Sequence, residues 1–384
     1  MKPSLFMIAI AFSCLSVSAA MAQEHDWIPL VHEDSLLGWQ MMNDAEFEPT
    51  EDGGIRLVDG MGWLRSEQRY GDFVLEMDVR PMEERFDSGI YFRAGLEGEP
   101  WPEREYQVNL RYNRYGWLVK GSSPLVEGTG FEADLEAWNH FRIETEGENA
   151  TLWIDGEKQW ETDMLEPGQG LIGFQAENYS FEFRNIRIHE KGYTNLLEGE
   201  GPVGEHLVVH SGDADAWQVI DERVLKLDGE AGGWIGTQTA DYDDFDLKFD
   251  YLVGINGNSG VFLRWPEAGR DAQGMEIQLI DDDATQWDLQ DWQKTGAVYH
   301  EIIPSVRATR KADEWQSMQI TLDGDHLQVF ANGVNIIDAD LSAYTESMSD
   351  STPLSERSEI GYIGFQNYTG EMMFRNMRIK RLND

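Results

Sequence analysis

The sequence predicts an all-β protein of two tandem antiparallel sandwiches, and three observations carry that reading. Its two halves repeat each other, its apolar residues alternate with polar ones, and its 38 glycines are spread along 384 residues as many tight turns require. A hydrophobic content of 41% and an aromatic content of 11% supply enough apolar surface for two packed cores.

The repeat is the strongest of the three. Gly170-Leu171-Ile172-Gly173-Phe174-Gln175 recurs as Gly361-Tyr362-Ile363-Gly364-Phe365-Gln366, and Phe183-Arg184-Asn185-Ile186-Arg187-Ile188 as Phe374-Arg375-Asn376-Met377-Arg378-Ile379. Asp87-Ser88-Gly89-Ile90-Tyr91-Phe92-Arg93 answers to Asn258-Ser259-Gly260-Val261-Phe262-Leu263-Arg264, and Glu105-Tyr106-Gln107 to Glu276-Ile277-Gln278 at the same spacing. Four blocks matched in one order define one copy over 23–190 and another over 204–384, joined by a Gly- and Glu-bearing linker at 191–203.

Within each copy the elements read as strands. Phe73, Leu75, Met77 and Val79 fall on alternate positions, as do Phe245, Leu247, Phe249 and Tyr251, which one buried sheet face requires. Asp155-Gly156 and Asn332-Gly333 follow apolar strands and signal hairpins. In the last strand the apolar phase switches between Phe183 and Ile186, and again between Phe374 and Met377, which places a bulge at each Arg-Asn pair. That makes the pair structural. Trp138 and Trp315, at strand starts, are assigned to the core. No long amphipathic helix is present in the pattern, so short-turned sandwiches remain.

Residues 1–22 read as an export signal: Lys2, an apolar run from Leu5 to Leu15, and Ala20-Met21-Ala22 as a small-x-small cleavage site. Cleavage after Ala22 would release a periplasmic or secreted chain without Cys14, which excludes disulfides and thiolate metal sites. The apolar run is too short for a membrane span, and no later segment approaches one. A formal charge of −41 implies a solvated acidic surface and makes nucleic acid a poor partner, since phosphate binding needs a basic stripe.

The matched blocks carry a family resemblance. Asn258 to Arg264, Gly274-Met275-Glu276-Ile277-Gln278-Leu279-Ile280-Asp281, Thr295-Gly296-Ala297-Val298-Tyr299, Glu314-Trp315, Asn332-Gly333 and the closing blocks resemble the 3-keto-disaccharide hydrolase domain family. The second copy is the closer match. In the first, Asp87 replaces Asn, Asn109 stands where the second has Asp281, and Tyr115 to Lys120 fills the Thr-Gly-Ala-x-Tyr region. The resemblance implies a concanavalin-like jelly roll acting on an oligosaccharide or glycoside whose third sugar carbon is already a ketone. The ketone acidifies the proton on the second carbon, so a base can remove it and the anomeric oxygen can leave; water then adds back. The net result is hydrolysis.

That chemistry needs a base, an enolate stabiliser and help for the leaving oxygen. Glu276 and Asp281 are the candidate carboxylates, Glu276 sharing a strand face with Gln278 and Asp281 lying near the strand end. Arg264 is the expected enolate partner and Tyr299 a proton donor, with Asn258 and Gln278 on sugar hydroxyls. Trp265, Trp287 and Trp292, in loop-like segments, are candidate stacking platforms, as is Trp101 in the first copy. Arg93, Glu105 and Gln107 are the first-copy candidates for sugar binding. A divalent cation on Glu276 and Asp281 is an alternative enolate stabiliser, although Asp281-Asp282-Asp283 lacks the spacing of a calcium loop. No Gly-x-Ser-x-Gly elbow, phosphate loop or dinucleotide fingerprint occurs. The competing readings are a non-catalytic glycan-binding module and an interaction scaffold.

Overall fold

The computed structural model describes residues 27–383 apart from 33–34, 122, 200, 221–222, 230–231, 267–273 and 350. The export segment, with its Ala22 cleavage site and Cys14, lies outside the described residues. By contacts the chain divides into two compact units, one reaching Lys191 and one starting at Gly192, with Leu37–Gln40 and Ser66–Arg69 grouped with the second. Among the described residues helix is confined to four short 3-10 turns, and no helix is long and apolar enough to cross a membrane.

Each copy is a jelly-roll sandwich of two antiparallel sheets. In the first, one sheet runs in the order Glu157–Thr162, Asn149–Ile154, Asn139–Glu146, Phe73–Pro81, Phe181–Glu190, Ile55–Asp59, Glu46–Pro49, with Ile28–Pro29 beside Phe181–Glu190. The opposing sheet runs Ser123–Val126, Leu118–Lys120, Tyr106–Asn109, Gly89–Ala94, Leu171–Glu177, Met61–Ser66, Trp39–Asn43. In the second copy the larger sheet is Trp217–Ile220, Val224–Asp228, Glu371–Arg381, Phe245–Val253, Gln316–Asp323, His326–Ala331, Val334–Asp340, with Thr194–Asn195 against Glu371–Arg381. The smaller is Leu207–Gly212, Gly233–Thr237, Tyr362–Gln366, Asn258–Trp265, Met275–Ile280.

The strand alternation seen in the sequence lays the apolar side chains between the sheets. Phe174 and Phe183, from opposite sheets of the first sandwich, stack at 4.4 Å; their counterparts Phe365 and Phe374 meet edge-on at 5.1 Å, with Phe249 against both. All five rings are fully buried, each contributing about 1.5–3 kcal/mol of transfer free energy. The polar phase of Phe245–Val253 is buried too: Asp246 is 0% exposed and accepts two hydrogen bonds from Gln319 Nε2.

Both hairpins form as expected, Asp155-Gly156 and Asn332-Gly333 having positive φ at both positions. The register of the last strand breaks between Arg184 and Arg187 and, in the second copy, between its partners Lys248 and Asp250, with Asn185 at φ 52° and Asn376 at φ 54°. Asn185 Nδ2 donates to Asp78 Oδ2 at 2.7 Å, and Asn376 Nδ2 to Asp250 Oδ2 at 2.8 Å. Trp138 and Trp315 differ from expectation. Both are half-buried, and each lies under a guanidinium of the bulge, Arg184 at 4.0 Å and Arg375 at 4.1 Å.

Candidate functional site

On the smaller sheet of the second copy, Asn258, Gly260 and Phe262 pair with Ile280, Gln278 and Glu276. The period of two turns these side chains to one face. There Asn258, Glu276, Gln278 and Ile280 line a cavity of about 550 Å³ with Gln366 from the neighbouring strand, and with Trp287, Asp288, Gln293, Tyr299 and Tyr368 from loops. Glu276 reaches across Gly260, where a β-carbon would lie 2.1 Å from its Oε1, so glycine is what leaves room for the carboxyl. The far edge of the Glu276 strand is held by the Thr295–Tyr299 stretch. Gly296 N and Tyr299 N donate to the Gln278 and Glu276 carbonyls at 2.8 and 2.9 Å, and Gln278 N donates to the Ala297 carbonyl.

Glu276 is half-buried and, among the described residues, its carboxyl has neither a hydrogen-bond donor nor a cation. Burial alone raises it to about 7. Gln278 Nε2 donates instead to Asn258 Oδ1 at 2.9 Å, fixing both amides beside the carboxyl. Trp292 stacks on His300 at 3.7 Å and meets Tyr299 edge-on at 5.3 Å, so it backs the Tyr299 loop without lining the cavity.

Three expectations are corrected. Arg264 does not reach the cavity. A bulge between Phe262 and Trp265, with Arg264 at φ 47°, switches the strand phase just before it is needed. The guanidinium is 4% exposed on its side-chain atoms and donates to the Asp243 carbonyl, Asp244 Oδ1 and the Gly324 carbonyl. The same bulge stacks Trp265 on Phe262 at 4.1 Å, and Trp265 is not among the cavity's lining residues. Asp281 falls in the other phase from Glu276, and its carboxylate accepts the backbone N–H groups of Asn256 and Asp283 at 2.9 and 3.1 Å.

A cation on Glu276 and Asp281 is therefore not supported. Asp282 is taken by Thr295 N and Thr309 Oγ1 and Asp283 by Arg307, and no group of three or more His, Cys, Asp or Glu able to hold a metal occurs among the described residues.

The first copy departs further than its sequence spacing implies. Gly89, the counterpart of Gly260, pairs with Asn109, so the strand pairing is slipped by two residues. Gln107, not Glu105, covers the glycine: a β-carbon on Gly89 would lie 1.9 Å from Gln107 Nε2. Asn109 takes the place of Gln278 and does not stand in for Asp281. Gln107 donates to Gln175 Oε1, and Gln175 to Glu177 Oε2 at 3.2 Å. Glu105 accepts from Gly121 N and is raised to about 7 by burial. Arg93 is drawn inward by a bulge like that of Arg264, at φ 50°, and bonds Asp72 and the carbonyls of Gly71, Gly147 and Glu166. Trp101 packs against the cluster of Trp63, Tyr91, Ala94 and Leu171 and donates to the Ala176 carbonyl. An amide cannot accept a proton at neutral pH, so the position over Gly89 holds no base, and the carboxyl on this face is Glu177, which accepts from Gln175.

Gln286, Leu289, Gln366 and Tyr368 were not singled out in the sequence. Gln366 was within reach, two positions from Gly364 on a repeated strand; the others sit in loops whose course no periodicity gives.

Fold and site together define a jelly-roll sandwich with a carboxyl-bearing cleft on the second copy. The chain belongs to the 3-keto-alpha-glucoside-1,2-lyase-like domain family, whose model matches residues 26–189 and again 192–380. That family is one of carbohydrate-active, glycosyl-hydrolase-like proteins. Over 240 residues the chain is 23% identical to a 3-keto-disaccharide hydrolase of Bacteroides thetaiotaomicron, covering 52% of this chain and 81% of that one. A crystal structure from Parabacteroides distasonis, provisionally assigned as a glycosyl hydrolase, aligns with TM-score 0.44 and 25% identity over 50% of this chain and 99% of its own. The carbohydrate-binding module CBM66 of Bacillus subtilis aligns with TM-score 0.35 and 19% identity, covering 40% and 96%.

Proposed function

We propose that the second copy cleaves 3-keto-glycosides by elimination and hydration, with Glu276 as the base. The observation that carries this is the unpartnered Glu276 carboxyl, raised to about 7 and facing a cavity lined by amides and indole. A base poised near neutrality is what removal of the acidified C2 proton calls for. In the reaction the C2 proton passes to Glu276 and its electron pair to the enolate, which collapses to a C1–C2 double bond with the ketone restored as the anomeric oxygen departs and takes the proton from Glu276. Water then adds its hydroxyl at C1, its proton passing through Glu276 to C2, which leaves the carboxylate free. With Arg264 committed elsewhere, the enolate oxygen falls to neutral donors, the Asn258 and Gln366 amides and the Tyr299 hydroxyl. The first copy serves as a non-catalytic partner, and the chain is exported on its 1–22 segment.

The absence of any Lys, Arg or His among the described lining residues favours one alternative, a glycan-binding module without chemistry. Incubation with a 3-keto-glycoside and its unoxidised parent separates them. Cleavage of the keto form alone, lost in Glu276→Gln, supports the enzyme; binding of both forms without cleavage supports the module.

A further inference from the structure

The sheet face that carries Glu276 continues past its cavity as a shelf of aromatic rings. Phe262 stands directly opposite Glu276 in the strand register, and Trp234 directly opposite Gln366, which lines the cavity. His210 stacks on Trp234 at 4.1 Å, Tyr362 meets these two rings at 4.6 and 5.9 Å, and Trp265 stacks on Phe262 at 4.1 Å. The indole of Trp234 lies over two glycines that leave it room: a β-carbon on Gly236 or Gly364 would fall 2.7 or 2.8 Å from its six-membered ring. Gly364 is two strands from Glu276, a separation of about 10 Å. His210, Trp234, Trp265 and Tyr362 are each half-buried, so the shelf keeps ring surface open beside the carboxyl.

The first copy shows what such a shelf accepts. Trp63 holds the place of Trp234 there, opposite Gln175 and over Gly173, yet it is only 1% exposed. The indole of Trp101, from the loop between Gly89–Ala94 and Tyr106–Asn109, packs against the cluster that Trp63 forms with Tyr91, Ala94 and Leu171. The first shelf is thus closed by a flat aromatic ring of its own chain. The matching connection in the second copy runs from Pro266 to Gly274 without an aromatic residue, so it supplies no such ring. The shelf itself offers ring faces and few hydrogen-bonding groups, the His210 Nε2 being taken by the Thr237 carbonyl at 3.0 Å. A saccharide laid on it would set hydroxyls against carbon, whereas a planar aromatic ring gains stacked and edge contacts.

We propose that this shelf holds the leaving group of the substrate, and that the leaving group is a planar aromatic aglycone, released as its phenol when the anomeric oxygen takes the proton from Glu276. The inference rests on the function proposed above and adds the chemical class of the group attached to the keto sugar.

The test is calorimetric titration of the full chain carrying Glu276→Gln with methyl 3-keto-glucoside, phenyl 3-keto-glucoside and a 3-keto-disaccharide, repeated after adding Trp234→Ala or Tyr362→Ser. The phenyl glycoside should bind about ten-fold more tightly than either other ligand, and each added substitution should remove most of that advantage while leaving the methyl glycoside unchanged. A competition arm needs no added substitution: 2-naphthol should weaken binding of the phenyl glycoside and not of the methyl one. A phenyl glycoside bound no more tightly than the others, an advantage that survives both substitutions, or naphthol that does not compete overturns the aromatic site. Turnover by the unsubstituted protein is read separately. A phenyl advantage without turnover supports the shelf and tells against the elimination; turnover of the disaccharide with no phenyl advantage does the reverse.

Discussion

Glu276 and Arg264 lie two pairing positions apart on neighbouring strands, yet their environments are opposite. Glu276 has lost water without gaining a partner, so its carboxyl waits half-protonated near neutral pH. If it is the base, kcat/KM rises with pH through an apparent pKa near 7, and Glu276→Gln lowers kcat by about 10²–10⁴-fold. A profile flat from pH 5.5 to 8 would remove Glu276 from that role. Arg264 is buried against Asp244, whose side chain is 13% exposed, and against two carbonyls. Removing it takes the cation from a carboxylate that keeps the Gly324 N–H and the Asn383 amide as donors and frees two carbonyls, so Arg264→Ala should cost about 2–3 kcal/mol of stability. Chemical denaturation of the variant checks this. Its catalytic constants, corrected for the folded fraction, should match the parent; a loss of kcat at full folding would put Arg264 back in the reaction.

At the scale of the element, the bulges decide what the sequence can and cannot reveal. The bulge at Arg375-Asn376 was legible because four apolar residues record the phase change, and Asn376 accepts the left-handed conformation it needs. Asn376→Ala should cost about 2 kcal/mol, from the β-carbon at φ 54° and the lost bond to Asp250, while Asn376→Gly should cost about 1. Equal denaturation midpoints for the two would show that the backbone carries no share. The bulge at Arg264 left no such record. It falls between Leu263 and Trp265, both apolar, so strict alternation carried Arg264 onto the Glu276 face when the chain had already switched. The two-residue slip in the first copy was hidden for a related reason. A slip of two preserves the face of every side chain, so the pattern is unchanged while Gln107 replaces Glu105 over the glycine. The all-β class, the hairpins and the Glu276–Gln278 face were readable from period and turn chemistry. The loop residues Gln286 and Tyr368 were not, because no repeat fixes where a loop passes.

Across the whole molecule, these local choices set how stability responds to pH. Glu276, Glu105 and Glu177 are each raised to about 7 by burial, Glu177 also by nearby Asp87. Their carboxyls ionise near 4.3 in the unfolded chain. Between those values the folded state holds more protons than the unfolded one, so stability falls as pH rises from about 4.5 to 7 and levels off above. Other carboxylates pull the opposite way. Glu76 is held below its ordinary range, despite burial, by Arg187 and Arg142, and Glu182 by Arg80 and Arg56. Their contribution is present above the unfolded pKa and is lost on acidification through the folded one. The two sets leave a maximum near pH 5. A chain of charge −41 also repels itself more strongly as its last carboxyls ionise, which adds to the decline on the alkaline side. The melting temperature should therefore fall by about 5–10 °C between pH 5.5 and 8, as a few kcal/mol would produce. Replacing Glu105, Glu177 and Glu276 together by glutamine isolates the buried groups from the general repulsion. That triple variant should lose most of the slope and melt above the parent at pH 8. If it keeps the full slope, the decline belongs to surface charge and the three carboxyls ionise without cost to the fold.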